Sequence, residues 1–241
     1  MRRLGVIGLV VAAALSGCGG GDGQRSTATA APPTPKLEGS TPCPDADGFT
    51  CSVLKVRLDH SGKAPGTLTL RVAVADNADA PRGVLLNLTG GPGQGGVDFI
   101  PRVRVRMRKV LRQYRLVMLD QRGTGEEALR CPALQRAMGT SDLTVPTPAA
   151  VEACASKLGD DRRFYSTADT VADLDDLRAA LRADKLTIDG ISYGTFVAQR
   201  YAIAHPDRVG RLVLDSVVPA AGLDGLMVDD MTETARVLRS A

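Results

Sequence analysis

The sequence predicts an α/β fold, a mostly parallel sheet with helices on both faces. Three observations carry that prediction. Short apolar runs at Gly83–Leu88, Arg115–Asp120 and Leu186–Ile188 read as buried strands. Helical periodicity lies between them and is clearest over Ser166–Arg182, where Val171, Leu174, Leu177 and Leu181 share a face. Strand and helix then alternate along the chain, as parallel strands joined by crossovers require.

Taken in order, the chain opens on an address. Arg2 and Arg3 precede an apolar run, Leu4 to Leu15, whose 12 residues are too few to span a bilayer. Leu15-Ser16-Gly17-Cys18 follows, and a Gly/Ser/Thr/Ala/Pro tether comes at once. This pattern resembles a bacterial lipoprotein signal, which implies cleavage before Cys18 and a lipid on that cysteine. The expected localisation is export, with the protein held by that lipid on the outer face of the cell membrane. The expected organisation is signal peptide and lipobox over 1–18, flexible linker over 19–42, and folded domain over 43–241.

Two half-buried strands follow, Ser52–Leu58 and Thr67–Ala75, expected as a hairpin at the sheet edge. Gly83–Leu88 is the first buried strand. Asp98–Arg112 mixes Phe99, Ile100, Val103, Val105, Met107, Val110 and Leu111 with six basic residues, and is expected as one helix with a solvated basic side. Short helices are expected over Leu129–Met138 and Pro148–Leu158, the second opening on proline. Ser166 or Thr167 can cap the Ser166–Arg182 helix, and acidic residues crowd its first turns. A strand at Leu212–Leu214 with Val217 and Val218, and a last helix from Gly222, complete the reading.

Composition bounds the function. The chain is 44% apolar and 24% charged, ordinary for a globular protein. Net charge is +3, and +1 once Arg2 and Arg3 are removed, too little to suggest a nucleic-acid partner. Without Cys18, four cysteines remain: Cys43, Cys51, Cys131 and Cys154. An even number in an exported chain suggests two disulfides. Of three connectivities, the local one, Cys43–Cys51 with Cys131–Cys154, is expected because neither bridge crosses the central sheet. A metal site is disfavoured, since no C-x-x-C occurs and the chain has two histidines. No cofactor is implied.

The chemistry centres on Gly190-Ile191-Ser192-Tyr193-Gly194, a G-x-S-x-G between a strand and a helix. Ser192 must turn sharply there. Gly190 and Gly194 remove β-carbons that would collide, and the turn lifts the hydroxyl clear of the sheet beside the free amides of a helix start. About a hundred residues upstream, Thr89-Gly90-Gly91-Pro92-Gly93-Gln94-Gly95-Gly96 follows a buried strand. It lacks the Walker pattern, and Pro92 removes an amide a phosphate cradle would use. Acyl transfer instead needs one amide after the nucleophile and a second from such a loop. A third stretch, Asp120-Gln121-Arg122-Gly123-Thr124-Gly125, ends the next strand.

These three stretches, in this order and spacing, resemble the prolyl and tripeptidyl aminopeptidase family, and with the lipobox and paired cysteines look like its exported actinobacterial members. The resemblance covers roughly Cys51–Pro219. It implies an α/β-hydrolase fold and a serine peptidase that releases amino acids or short peptides through an acyl-enzyme. It makes Ser192 the nucleophile and the amides of Gly91 and Tyr193 the oxyanion hole. Asp120 and Arg122 brace the loops beside the site or form a structural ion pair. Thr89 stands where smaller members have histidine, which changes loop support. Peptide or small acyl compounds are the expected substrates.

The triad of this fold runs Ser, acid, His. His205 ends the helix that Ser192 starts, on the order of 18 Å away, and His60 lies upstream in the wrong chain order. Asp215, Asp224, Asp229 and Asp230 fall short of the acid's place. The chain therefore reads as the N-terminal part of a hydrolase roughly twice this size, without cap and last strands, and inactive alone. The rival readings are an esterase or lipase on the same elbow, or a non-catalytic lipoprotein that binds through the fold.

Overall fold

The N-terminal strands are built on alternation. In the computed structural model, which describes residues 34–140 and 144–221 together with Arg236 and Arg239, β2 (Phe49–Arg57) and β3 (Thr67–Ala75) pair antiparallel over their whole length. Leu54, Val56, Leu70, Val72 and Val74 point one way into the main core. Asp59 closes the turn after β2 by accepting the amides of Ser61, Lys63 and Ala64.

One further strand precedes this pair. β1 (Leu37–Pro42) lies antiparallel on β2, within the stretch read as linker, and it takes the sheet edge from the hairpin. Its sequence, Leu-Glu-Gly-Ser-Thr-Pro, gives little sign of a strand. Only Leu37 packs against the core, and Ser40 meets Ser52 at 2.9 Å, so pairing with β2 rather than apolar burial defines it.

The crossover strands are β4 (Val84–Leu88), β5 (Arg115–Leu119), β6 (Leu186–Ile191) and β7 (Val209–Asp215). The sheet order is β1-β2-β3-β5-β4-β6-β7. β5, β4, β6 and β7 are parallel to one another, and β3 joins β5 antiparallel. Neighbours in β5 face opposite layers. Val117 and Leu119 join the cluster under α4 (Thr167–Ala180) and α5 (Tyr193–Ala204), whereas Leu116 and Met118 join the one under α1 (Ile100–Arg106). Helices thus cover both faces, as the sequence predicts.

The expected single helix over Asp98–Arg112 is instead a 3-10 turn, α1, and a second 3-10 turn at Val110–Arg112. Arg102, Arg104, Arg106 and Arg108 put like charges at i, i+4 spacing, which opposes continuation. The predicted strand at Leu212–Leu214 is longer, spanning β7. It ends at Ser216, whose φ is 59°, so Val217 and Val218 leave the sheet. Cys18 and most of the helix expected from Gly222 lie outside the described residues, with Arg236 and Arg239 helical. No helix among the described residues is long and apolar enough to cross a membrane.

Between β5 and α4 the chain makes an excursion through α2 (Pro132–Met138) and α3 (Pro148–Leu158), neither of which buries a residue. Cys131–Cys154 ties it, with Lys157 Nζ donating to the Arg130 carbonyl at 2.7 Å. Cys43–Cys51 ties the start of β2, so both local pairings occur. With so little apolar burial, α2 and α3 depend on their bridge. A disulfide closing a loop of this size is worth about 3 kcal/mol. Changing Cys131 and Cys154 both to serine should therefore make residues 129–164 the first protease cleavage region. Equal cleavage rates with and without the bridge would show that the helices hold themselves.

Candidate active site

Ser192 sits between β6 and α5 with φ 53° and ψ −121°, a conformation that costs a non-glycine residue about 1–3 kcal/mol. Its surroundings hold it there. The Ser192 amide donates to the Asp215 carbonyl at 2.9 Å. The Ser192 carbonyl accepts from the Thr195 amide at 2.8 Å and the Thr195 hydroxyl at 2.7 Å. That hydroxyl also accepts from the Val218 amide at 2.8 Å, which ties the chain leaving β7 to the elbow. Thr195 is fully buried, and its part went unread in the sequence.

The two elbow glycines are required by close approach. A β-carbon on Gly190 would lie 2.5 Å from the Gly194 carbonyl oxygen, and one on Gly194 would lie 2.3 Å from that of Leu88. The elbow is thereby pressed against the end of β4. The Gly-rich loop starts at that point, and Gly90 backs onto Ser192: its β-carbon would sit 3.0 Å from Ser192 Cβ and 3.5 Å from Oγ. Gly91 follows with φ 101°. Thr89 Oγ1 donates to the Gln94 carbonyl at 3.0 Å, closing the loop on itself. The amides of Tyr193 and Gly194, which open α5, have no acceptor within the helix.

Asp120 and Arg122 do not pair with each other. Asp120 Oδ1 accepts the amides of Gly96 and Val97 at 2.7 and 3.0 Å, fixing the far end of the Gly-rich loop. Burial raises its carboxyl above the ordinary range, against the Val97 amide and the Arg71 charge. Gly125 and Gly95 lie so close that β-carbons there would stand 2.0 Å from Oδ2 and 3.0 Å from Oδ1.

Arg122 turns the other way. Its Nε and Nη2 donate to Asp173 Oδ2 and Oδ1 at 2.7 and 2.6 Å, and its remaining N–H groups go to the carbonyls of Arg57, Leu58 and Phe164. All five guanidinium donors are thus used. The structural ion pair expected between Asp120 and Arg122 is therefore not formed; Arg122 pairs instead with Asp173 on α4, 51 residues downstream.

A second buried polar pair lies behind the elbow. Asn87 on β4 donates to Asp189 on β6 at 2.7 Å, across the register of the two strands. Burial raises the Asp189 carboxyl, and the Asn87 bond only partly offsets it.

Both histidines are engaged away from Ser192. His60 Nε2 lies 2.7 Å from Asp173 Oδ1. His205 caps the opposite end of α5, its ring 5.0 Å from that of Tyr201. Asp215 offers Ser192 its carbonyl, while its carboxylate pairs with Arg106 at the surface. Among the described residues, then, Ser192 has a shaped backbone and no histidine beside it. A cavity of about 720 Å³ between α4 and α5, lined by Val171, Phe196, Arg200 and Ile203 among others, does not include Ser192.

Known proteins resemble this chain in sequence. The chain is similar to a tripeptidyl aminopeptidase of Streptomyces coelicolor, at 30% identity over 188 residues, covering 70% of this chain and 35% of that protein. It is similar to the serine protease Hip1 of Mycobacterium tuberculosis, at 29% over 205 residues, covering 74% and 39%. A proline iminopeptidase of Xylella fastidiosa matches at 32% over 130 residues, covering 54% and 31%. The chain thus spans between three and four tenths of the length of these curated relatives. Residues 83–238, from β4 onward, match the family described by the alpha/beta hydrolase fold. With the strand order, the elbow and the Gly-rich loop, this match places the chain in the α/β-hydrolase fold family.

Proposed function

We propose that this chain carries the nucleophile half of an exported serine aminopeptidase. Ser192 attacks the acyl carbon of a peptide near its N-terminus. The resulting oxyanion is held by the amides of Tyr193 and Gly91, and an acyl-enzyme forms as the amine leaves. The observation that carries this reading is the strained backbone of Ser192 with Gly90 of the Gly-rich loop set against it. Peptidase-named relatives support peptide as the substrate class. No histidine stands beside Ser192 among the described residues, and this chain spans between three and four tenths of the length of those relatives.

The test is a burst experiment on the full-length protein with aminoacyl and tripeptidyl anilides beside a simple activated ester. A stoichiometric burst followed by steady peptide release supports the proposal. Turnover of the ester alone favours an esterase on the same elbow, and no turnover favours a binding protein.

The same reading includes a lipid anchor on Cys18, motivated by the short apolar run ending at that residue. Mature protein is expected in the membrane fraction, and Cys18→Ser should abolish incorporation of labelled lipid. Undiminished labelling of that variant would remove the anchor from the proposal.

A further inference from the structure

The residue after the nucleophile is held at both ends. The Tyr193 backbone opens α5, and the Tyr193 hydroxyl lies 2.8 Å from Thr167 Oγ1 in the first turn of α4. The Tyr193 ring tilts against Phe196, centroids 6.1 Å apart. Where Tyr193 rests therefore depends on where α4 begins. That start is fixed by three devices. Ser166 and Asp169 close a reciprocal cap. Arg122 donates to the Phe164 carbonyl just upstream. Arg122 also clamps Asp173 further along the same helix. The loop that supplies Arg122 also supplies Asp120, so one loop grips both the Gly-rich loop and the start of α4.

We infer that Thr167 is a positioning residue for the Ser192 site: its hydroxyl, on a helix start fixed by the Arg122–Asp173 clamp, holds the Tyr193 side chain and through it the Tyr193 backbone amide. The consequence for rate rests on the Ser192 reading above; the consequence for the backbone does not. An oxyanion donor acts in the transition state and little in the ground state, so misplacing it lowers kcat and spares KM. Removing such a donor outright costs roughly 100- to 1,000-fold, and loosening it should cost less, about tenfold.

The experiment uses the full-length protein with Thr167→Val, Thr167→Ser, Tyr193→Phe and the Val/Phe double variant. Hydrogen exchange of the peptide spanning 192–196 is read alongside kcat and KM. Thr167→Val should speed exchange in that peptide and lower kcat about tenfold with KM within about twofold. Thr167→Ser should restore both, because it keeps the hydroxyl. Tyr193→Phe should match Thr167→Val, and the double variant should be no worse than either, since both remove one hydrogen bond. Unchanged exchange in Thr167→Val, or penalties that multiply in the double variant, would overturn the inference. So would a rise in KM confined to Tyr193→Phe, which would put the Tyr193 hydroxyl on substrate. If Ser192→Ala leaves turnover intact, the catalytic reading fails, and the exchange data alone still decide the positioning role.

Discussion

Ser192→Ala in the full-length protein is expected to lower turnover by roughly four to six powers of ten, leaving a residual rate above the uncatalysed one. The size follows from what remains. The Gly90–Gly91 loop and the first turn of α5 keep their amides in place, and substrate still binds. What goes is the oxygen that would form the acyl bond. The substitution suits the site, because it removes only Oγ and leaves the backbone anchors to Asp215 and Thr195 intact. A melting curve superimposable on that of the parent should accompany the loss. Turnover within tenfold of the parent would mean that Ser192 is not the nucleophile, however well its backbone is shaped.

Asp173→Asn is expected to cost about 3–5 kcal/mol of folding stability, the usual penalty for leaving one partner of a buried ion pair uncompensated. The side chains of Arg122 and Asp173 are each 1% exposed, so water cannot replace the lost charge. Around Arg122 the other hydrogen-bond acceptors are backbone carbonyls, and the one further carboxylate, Asp169, stands off at 3.9 Å. The measurement is the denaturant midpoint at unchanged m-value. Replacing both partners by apolar residues, Arg122→Met with Asp173→Leu, should recover much of the loss, because neither charge of the pair is then left buried alone. A cost under about 1 kcal/mol for Asp173→Asn would show that the cluster is better solvated than its burial indicates.

Much of the core was legible in the sequence because it is written in local periodicity. Val171, Leu174 and Leu177 recur at helical spacing, and all three are buried on one face of α4. Ser166 caps that helix, one of the two residues, with Thr167, whose place before an acidic first turn suggested a cap. The cysteines pair locally, with Cα separations of 4.9 and 5.4 Å. The elbow was legible for a similar reason: a strand, a sharp turn and a helix leave a signature within a dozen residues. β1 was not. Its strand character is borrowed from the open edge of β2, and Leu-Glu-Gly-Ser-Thr-Pro carries no pattern of its own. The break after α1 was missed because its apolar spacing continues while its arginines repel.

The sequence by itself therefore determined the class of fold, the serine at the strand-to-helix turn and the Gly-rich loop that accompanies it. Each is set by backbone sterics or side-chain spacing over a few residues. Only the tertiary structure decided who meets whom. Asp120 and Arg122, two residues apart, face opposite ways, one to the amides of Gly96 and Val97 and the other to Asp173. His60 joins Asp173 from 113 residues away, and Thr167 meets Tyr193 from 26. A buried polar group must find a partner somewhere, and the residue type states that need. Which distant segment meets it depends on how the sheet brings β2, β5, α4 and α5 together, and no local pattern encodes that.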